Sequence, residues 1–137
     1  MINTVLEMTG DVNSRMHNKL SPMHCAAQTY HGLLSLVIMT KRYNVKSTVI
    51  DVMQATPLHF AAMYHEYKNV EYLISSGADL NAQDVQGHTP IHICLIRLIQ
   101  DPEKFTEYKR IIKTLLFAGA SREVKTNQKL TALDLLQ

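Results

Sequence analysis

One short pattern recurs along the chain at a nearly fixed interval, and it restricts the possible folds more than any other feature. Thr56-Pro57-Leu58-His59-Phe60-Ala61-Ala62 is repeated as Ser21-Pro22-Met23-His24-Cys25-Ala26-Ala27 and as Thr89-Pro90-Ile91-His92-Ile93-Cys94, with a weaker fourth copy at Thr131-Ala132-Leu133-Asp134-Leu135-Leu136. Successive copies are offset by 35, 33 and 42 positions, a base period of 33 with one small and one large insertion. A second mark lies ahead of the copies: Gly10-Asp11-Val12-Asn13 before the first, Gly77-Ala78-Asp79-Leu80-Asn81 before the third and Gly119-Ala120-Ser121 before the fourth. Self-similarity at such a period signals an array of small supersecondary units.

The residues of each mark have a physical reason to be there. Ser or Thr caps a helix whose first-turn residue is Pro, where the missing N–H is no loss and the fixed φ is already helical. The pairs Ala26-Ala27 and Ala61-Ala62 leave room for close approach of neighbouring helices. Val70, Leu73 and Ile74, and later Ile111, Ile112, Leu115 and Leu116, have the spacing of an apolar helix face. Gly77 and Gly119 then stand where a left-handed residue closes a last helical turn. Asp84-Val85-Gln86-Gly87 supplies the side-chain and glycine chemistry of a tight projecting loop. Each unit therefore reads as Thr-Pro start, first helix, turn, second helix, Gly stop and polar loop. One unit cannot bury its apolar face alone, so neighbours must stack.

Composition agrees with one folded array. At 137 residues, with 46% hydrophobic and 19% charged residues, the chain has enough apolar surface to offset its ordering entropy and is not disordered. Lys plus Arg is 14 against 12 for Asp plus Glu, which gives no reason to expect nucleic acid or a polybasic membrane surface as main partner. The two cysteines, Cys25 and Cys94, have neither disulfide-framework nor zinc-finger spacing, which points to a reducing compartment. The most apolar run, 91–99, is interrupted by His92 and Arg97 and falls far short of the roughly 20 residues that span a bilayer. Glu7 and Asp11 stand where a signal peptide would need a basic start and an apolar block.

The Thr-Pro-x-His starts, the Gly-Ala-Asp-Leu-Asn end and the Asp-x-x-Gly loop tip resemble the ankyrin repeat, and the likeness runs over essentially the whole chain. The resemblance implies an all-α solenoid of stacked helix-turn-helix units with projecting loops or short β-hairpins. It implies a single array over 1–137, with a partial repeat at 1–20, repeats at about 21–53, 54–86 and 87–128, and a partial repeat at 129–137. His65 stands where the family usually places Gly. The apolar residues Leu133, Leu135 and Leu136 at the last copy suggest a truncated final helix or a segment of a longer protein, because terminal repeats normally carry a polar outer face.

Two departures from the pattern are informative. After the first unit, Leu33, Leu34, Leu36, Val37 and Ile38 fit a second helix, but no Gly-Ala-Asp follows. A basic, Tyr-bearing stretch at 41–48 takes its place, about three residues longer than its counterpart. It is either a solvated connection or, through Lys41, Arg42 and Lys46, a contact for an acidic or phosphorylated partner. The third unit carries nine extra residues around 100–108. Asp101-Pro102-Glu103 reads as a cap and helix start, so the second helix is expected to begin early. Phe105 and Tyr108 would be aromatic anchors if exposed, or Phe105 would fold down onto the lengthened first helix.

Catalytic and metal chemistry find no starting point. His24, His59 and His92 share one repeat position, so stacking separates them by about 10 Å, too far to ligate one ion at about 2 Å. The resemblance assigns them a structural task instead, hydrogen bonding to backbone in adjoining loops. Cys25 and Cys94 are expected to be unpaired core residues. No phosphate-cradling or hydrolase motif is present, and no cofactor is expected.

The expected function is a non-catalytic protein-protein interaction module that binds a partner protein through its loop tips and concave first-helix face. The candidate contact residues are Gln28, Thr29, Tyr30, Lys41, Arg42, Met53, Gln54, Met63, Tyr64, His65, Val85, Gln86 and His88, with Val52 and Ala55 at one tip. A monomer in the cytoplasm is expected, with no nucleic acid bound and no direct membrane insertion; the nucleus stays open. The alternative is a substrate-recruiting ankyrin domain of a larger enzyme or membrane protein on the cytosolic face of a membrane, such as an Asp-His-His-Cys palmitoyltransferase. The resemblance also makes Asn81 a candidate for hydroxylation, although a structural turn already accounts for an Asn there.

Overall fold

The computed structural model describes residues 20–43 and 50–135. Along them run α1 (Pro22–Ala27), α2 (Leu33–Lys41), α3 (Pro57–Met63), α4 (Tyr67–Ser75), α5 (Pro90–Gln100), a 3-10 turn (Pro102–Lys104), α6 (Phe105–Phe117) and α7 (Ala132–Leu135). The expected partial unit at the start of the chain, with its stop at Gly10, lies outside the described residues, as does Lys46. Helices α1, α3 and α5 pack side by side as one row, and α2, α4 and α6 form a second row against them. This is the expected all-α stack, and among the described residues the loop tips are turns without strands.

Local chemistry sets the helix starts. Ser21, Thr56 and Thr89 adopt extended backbone and accept the N–H of His24, His59 and His92 on their hydroxyl oxygens, with Pro at the next position. Gly77 and Gly119 have φ of +91° and +107°, the left-handed closure expected of them. The shared core lies between the rows, where Met23, Leu36, Met39, Leu58, Val70, Leu73, Ile111 and Leu115 are wholly buried. Burying such a side chain is worth about 1.5–3 kcal/mol. The alanines at 26, 27, 61 and 62 are buried where α1 meets α3 and α3 meets α5.

The insertions are distributed rather than looped out. Helix α5 has 11 residues against 7 in α3, and α6 has 13 against 9 in α4. The remaining inserted residue extends the connection between them. Asp101 does not cap the second helix with its side chain; the chain enters α6 through the 3-10 turn. In the first unit, one added residue falls between the starts of α1 and α2 and one between those of α2 and α3. The basic connection is thus one residue longer than its counterpart, not three.

Each loop tip repeats one turn. Asp51 Oδ1 accepts from the N–H of Met53 and Ala55, Asp84 Oδ1 from Gln86 and His88, and Thr126 Oγ1 from Gln128 and Leu130. The third residue after each anchor is left-handed: Gln54 at φ 61°, Gly87 at 82° and Lys129 at 63°. A left-handed conformation costs a residue with a Cβ about 1–2 kcal/mol. A Cβ on Gly87 would also come within 2.6 Å of the Asn127 backbone nitrogen. Gly87→Ala is therefore expected to lower stability in urea melts by about 2 kcal/mol or more, whereas Gln54→Gly and Lys129→Gly, whose strain glycine relieves, should be neutral or gain up to about 1 kcal/mol.

Candidate functional site

The repeated histidines do more than cap helices. In each full copy the N-cap backbone N–H donates to imidazole Nδ1, at 3.2 Å for Ser21–His24, 3.1 Å for Thr56–His59 and 3.2 Å for Thr89–His92. An Nδ1 that accepts carries no proton, so Nε2 must hold it. That Nε2–H donates to the loop of the next unit: His24 to Ala55 O at 2.8 Å, His59 to His88 O at 2.8 Å and His92 to Leu130 O at 3.2 Å. The expected role of these histidines is thus met, and both ring nitrogens are committed to it. The fourth copy has Asp134 instead, which accepts from Thr131 N–H but, as a carboxylate, has no donor to pass on.

Burial lowers the pKa of both His59 and His92, because an interior imidazolium loses its hydration. The bond to His88 O and the Asp84 carboxylate oppose this at His59 without reversing it. Burial likewise pushes the Cys94 thiol well above its usual range, and Cys94 Sγ lies 3.9 Å from Ala62 O. Cys94 is therefore an inert core residue, while Cys25 is only half-buried; both are free.

A backbone ladder joins successive tips. Val85 N–H donates to Met53 O at 2.8 Å, and Asn127 N–H donates to Gln86 O at 3.0 Å, the same two turn positions each time. Asn127 Nδ2 adds a bond to Val85 O, and Gln83 Nε2 bonds both Gly87 O and Lys125 O. With the backbone committed, side chains are presented outward: Val52, Met53 and Val85 are about half-exposed, and Gln54, Gln86, Asn127 and Gln128 are exposed. His88 is partly buried beside Asp84. Ala55, expected at the tip, is instead buried, because its carbonyl receives His24.

The remaining candidates lie at the far ends of the first helices and beyond. Tyr30 and Tyr64 are exposed, and Gln28, Thr29, Met63 and His65 are partly buried. Thr29 serves the fold, since its hydroxyl donates to Cys25 O and its carbonyl accepts from Asn69. His65 is left-handed at φ 50°, the conformation that suits Gly at this turn, and its ring meets Tyr108 edge-on. Lys41 ends α2 and Arg42 follows it, both exposed. Asn81 is exposed, and its Oδ1 accepts from Ser121 N–H at 2.8 Å, which joins consecutive units.

Two residues have roles that the sequence does not announce. Asn69 is buried in α4, and its Nδ2 donates to Ala27 O at 3.0 Å and Thr29 O at 2.9 Å, satisfying carbonyls at the end of α1. Tyr108, an aromatic anchor only if exposed, is 1% exposed and its hydroxyl donates to Met63 O at the end of α3. Phe105, by contrast, is exposed.

Helix pairs of one design, stacked in two rows with their loops in register, define a helical repeat solenoid. Sequence profiles of ankyrin repeats match the chain, one described as ankyrin repeats (3 copies) over residues 1–84 and one as ankyrin repeats (many copies) over residues 58–116. The chain belongs to the ankyrin repeat family. It is 32% identical over 97 residues to the transient receptor potential cation channel subfamily A member 1 of Drosophila melanogaster, covering 67% of this chain and 8% of that protein. It is 27% identical over 125 residues to a Danio rerio protein named for palmitoyltransferase activity, ZDHHC13, covering 90% and 17%. Rabankyrin-5 of Homo sapiens is 48% identical over 40 residues, 29% of this chain and 3% of that protein. The chain thus spans less than a fifth of each of these relatives.

The imidazole geometry dictates a pH response. Folded pKa values below the ordinary imidazole value mean that the unfolded chain binds more protons, so stability is full above about pH 6.5 and is lost as pH falls below it. Urea melts are expected to show falling stability on acidification from neutral pH. His59→Gln, which does not titrate there, should flatten the slope; an unchanged slope would remove His59 as its source.

Proposed function

We propose that the chain is a non-catalytic protein-binding module whose contact surface is the row of loop tips with the exposed ends of the first helices. The observation that carries this reading is the ladder from Met53 to Val85 and from Gln86 to Asn127, which fixes the tip backbone while leaving the side chains outside. A surface ordered before binding loses less conformational entropy on association. Its chemistry is graded: Val52, Met53 and Val85 make one end apolar, and Gln86, Asn127 and Gln128 make the other rich in amides. Tyr64 and Tyr30 add aromatic contact area, while Gln28, Met63, His65 and His88 contribute polar or adaptable edges. Asp51 and Asp84 turn their carboxylates onto their own loops, and Lys41 and Arg42 carry exposed positive charge at the end of α2. Such a surface suits one protein segment with both apolar and polar groups. The module acts as a monomer in the cytoplasm or on the cytosolic face of a membrane.

A second reading is a recruiting domain within a larger enzyme or membrane protein. The alignment of 125 residues with the Danio rerio protein supports it. A membrane-spanning or catalytic segment in the full coding sequence would establish this arrangement. Among the described residues, no helix is long and apolar enough to cross a membrane.

Affinity capture from source cells tests the contact surface. The double variant Met53→Asp/Val85→Asp should retain the thermal midpoint within about 2 °C while losing specific partners by about tenfold or more. Partners retained at wild-type level would place the contact elsewhere.

A further inference from the structure

Helix α5 runs one turn further than α3, a length that neither the helix caps nor the loop tips require. Positions 90–96 repeat 57–63, so 97–100 have no helical counterpart in α3. They carry α5 about 6 Å beyond it. Arg97 opens this added turn, in the register that Tyr64 holds where α3 ends. The place lies between two fully described units, away from either end of the array.

Its surroundings are set by the matching addition to α6. Tyr108 donates to Met63 O at the end of α3 and meets the His65 ring edge-on at 5.5 Å. Burial raises the Tyr108 pKa, and Arg97, beside the same hydroxyl, opposes that rise. Arg97 thus reaches back over Tyr108 toward the end of α3. Met63 and Ile96, which share one register position on neighbouring helices, are both partly buried, and Tyr64 is exposed. A cation is therefore set among aromatic and apolar side chains.

The fold leaves this cation uncompensated. Arg97 Nε is the one buried side-chain nitrogen or oxygen among the described residues that lacks a hydrogen-bond partner. Arg97 forms no ion pair with any of those residues either. Asp101, one turn further along, also acts on the Tyr108 hydroxyl but does not close to ion-pair distance of Arg97. The Glu66 carboxylate interacts with His65 and His31. The terminal nitrogens of Arg97 are not buried, so an anion can approach them from solvent. A partly desolvated guanidinium attracts a carboxylate more strongly than one in open water.

We infer that Arg97 is the anchor for one carboxylate side chain of the bound protein segment, and that the residue beside that Asp or Glu packs against Met63 and Ile96. The inference rests on the reading of the chain as a binding module and adds what the segment must carry. The planar guanidinium takes a carboxylate in paired hydrogen bonds, which fixes the direction of the segment as well as its charge.

The test selects a random peptide library by mRNA display, in parallel on the immobilised full chain and on its Arg97→Glu variant, and measures enriched peptides by fluorescence anisotropy. Peptides selected on the wild type should share an Asp or Glu beside an apolar residue and bind Arg97→Glu about tenfold or more weaker. Selection on Arg97→Glu should replace that acid by Lys or Arg, a reversal that loss of folding cannot produce. Changing the peptide acid to its amide should weaken wild-type binding about as much as Arg97→Gln does, and should change binding to Arg97→Gln little. Peptides without a shared acid, or with equal affinity for wild type and Arg97→Glu, would overturn the inference. If such peptides still fail to bind Met53→Asp/Val85→Asp, the binding-module reading survives that failure, whereas a library with no enriched peptide removes both. Tighter binding of a peptide with phosphoserine at the acidic position would assign the anchor to phosphate and equally overturn the inference.

Discussion

Three neutral imidazoles hold the array together. Each accepts a hydrogen bond from its own helix cap and donates another to the loop of the next unit, so one side chain fixes the start of a helix and the position of its neighbour. Because both nitrogens are used, the ring has one acceptable protonation state and one tautomer. Hydrophobic burial supplies most of the stabilisation, yet burial alone is non-directional and would tolerate sliding of one helix pair over the next. The imidazole bond fixes that register, and the ladder between Met53, Val85, Gln86 and Asn127 follows from it. The loop tips can therefore be ordered without strands, and the outward side chains of the candidate surface share a rigid support.

The enlarged third unit shows how such an array accepts extra sequence. Four residues lengthen each helix, and the added turns stay paired because α5 and α6 grow together. Tyr108 then reaches back to Met63 O, so the extension is tied to the preceding unit as well. Asn69 makes the corresponding tie one unit earlier, to the end of α1. A polar group from the second helix thus satisfies the end of a preceding first helix twice, with different chemistry each time.

The parts of this structure that were legible in the sequence are those where a side chain acts within a few residues of itself. Ser21, Thr56 and Thr89 cap helices, and Gly77 and Gly119 close them, because the local backbone requires those residue types. Apart from the histidine bonds to adjoining loops, which the family resemblance implies, contacts across units were not legible. Nothing local distinguishes the buried Tyr108 from an exposed aromatic, or marks Asn69 as a cap for a distant helix. Gln54 and Lys129 hide their left-handed turns because neither is glycine, and Thr126 hides its loop anchor because it is not Asp. Ala55 occupies a loop-tip position in the repeat, and only the fold shows that it is buried with its carbonyl claimed by His24. Of the candidate surface, the tips at 53–54 and 85–86 were visible as positions, but the ladder that aligns them needed the fold.

The protonation state of the repeated histidines tests the relay most directly. Long-range nitrogen–proton correlation spectra of the uniformly nitrogen-15-labelled chain report tautomer and charge for each ring. The relay requires His59 and His92 to be neutral with the proton on Nε2, and to stay so as the pH is lowered through the ordinary imidazole range near about 6.5. A proton on Nδ1, or titration of these rings at that ordinary value, would mean that the units are held in register by something else.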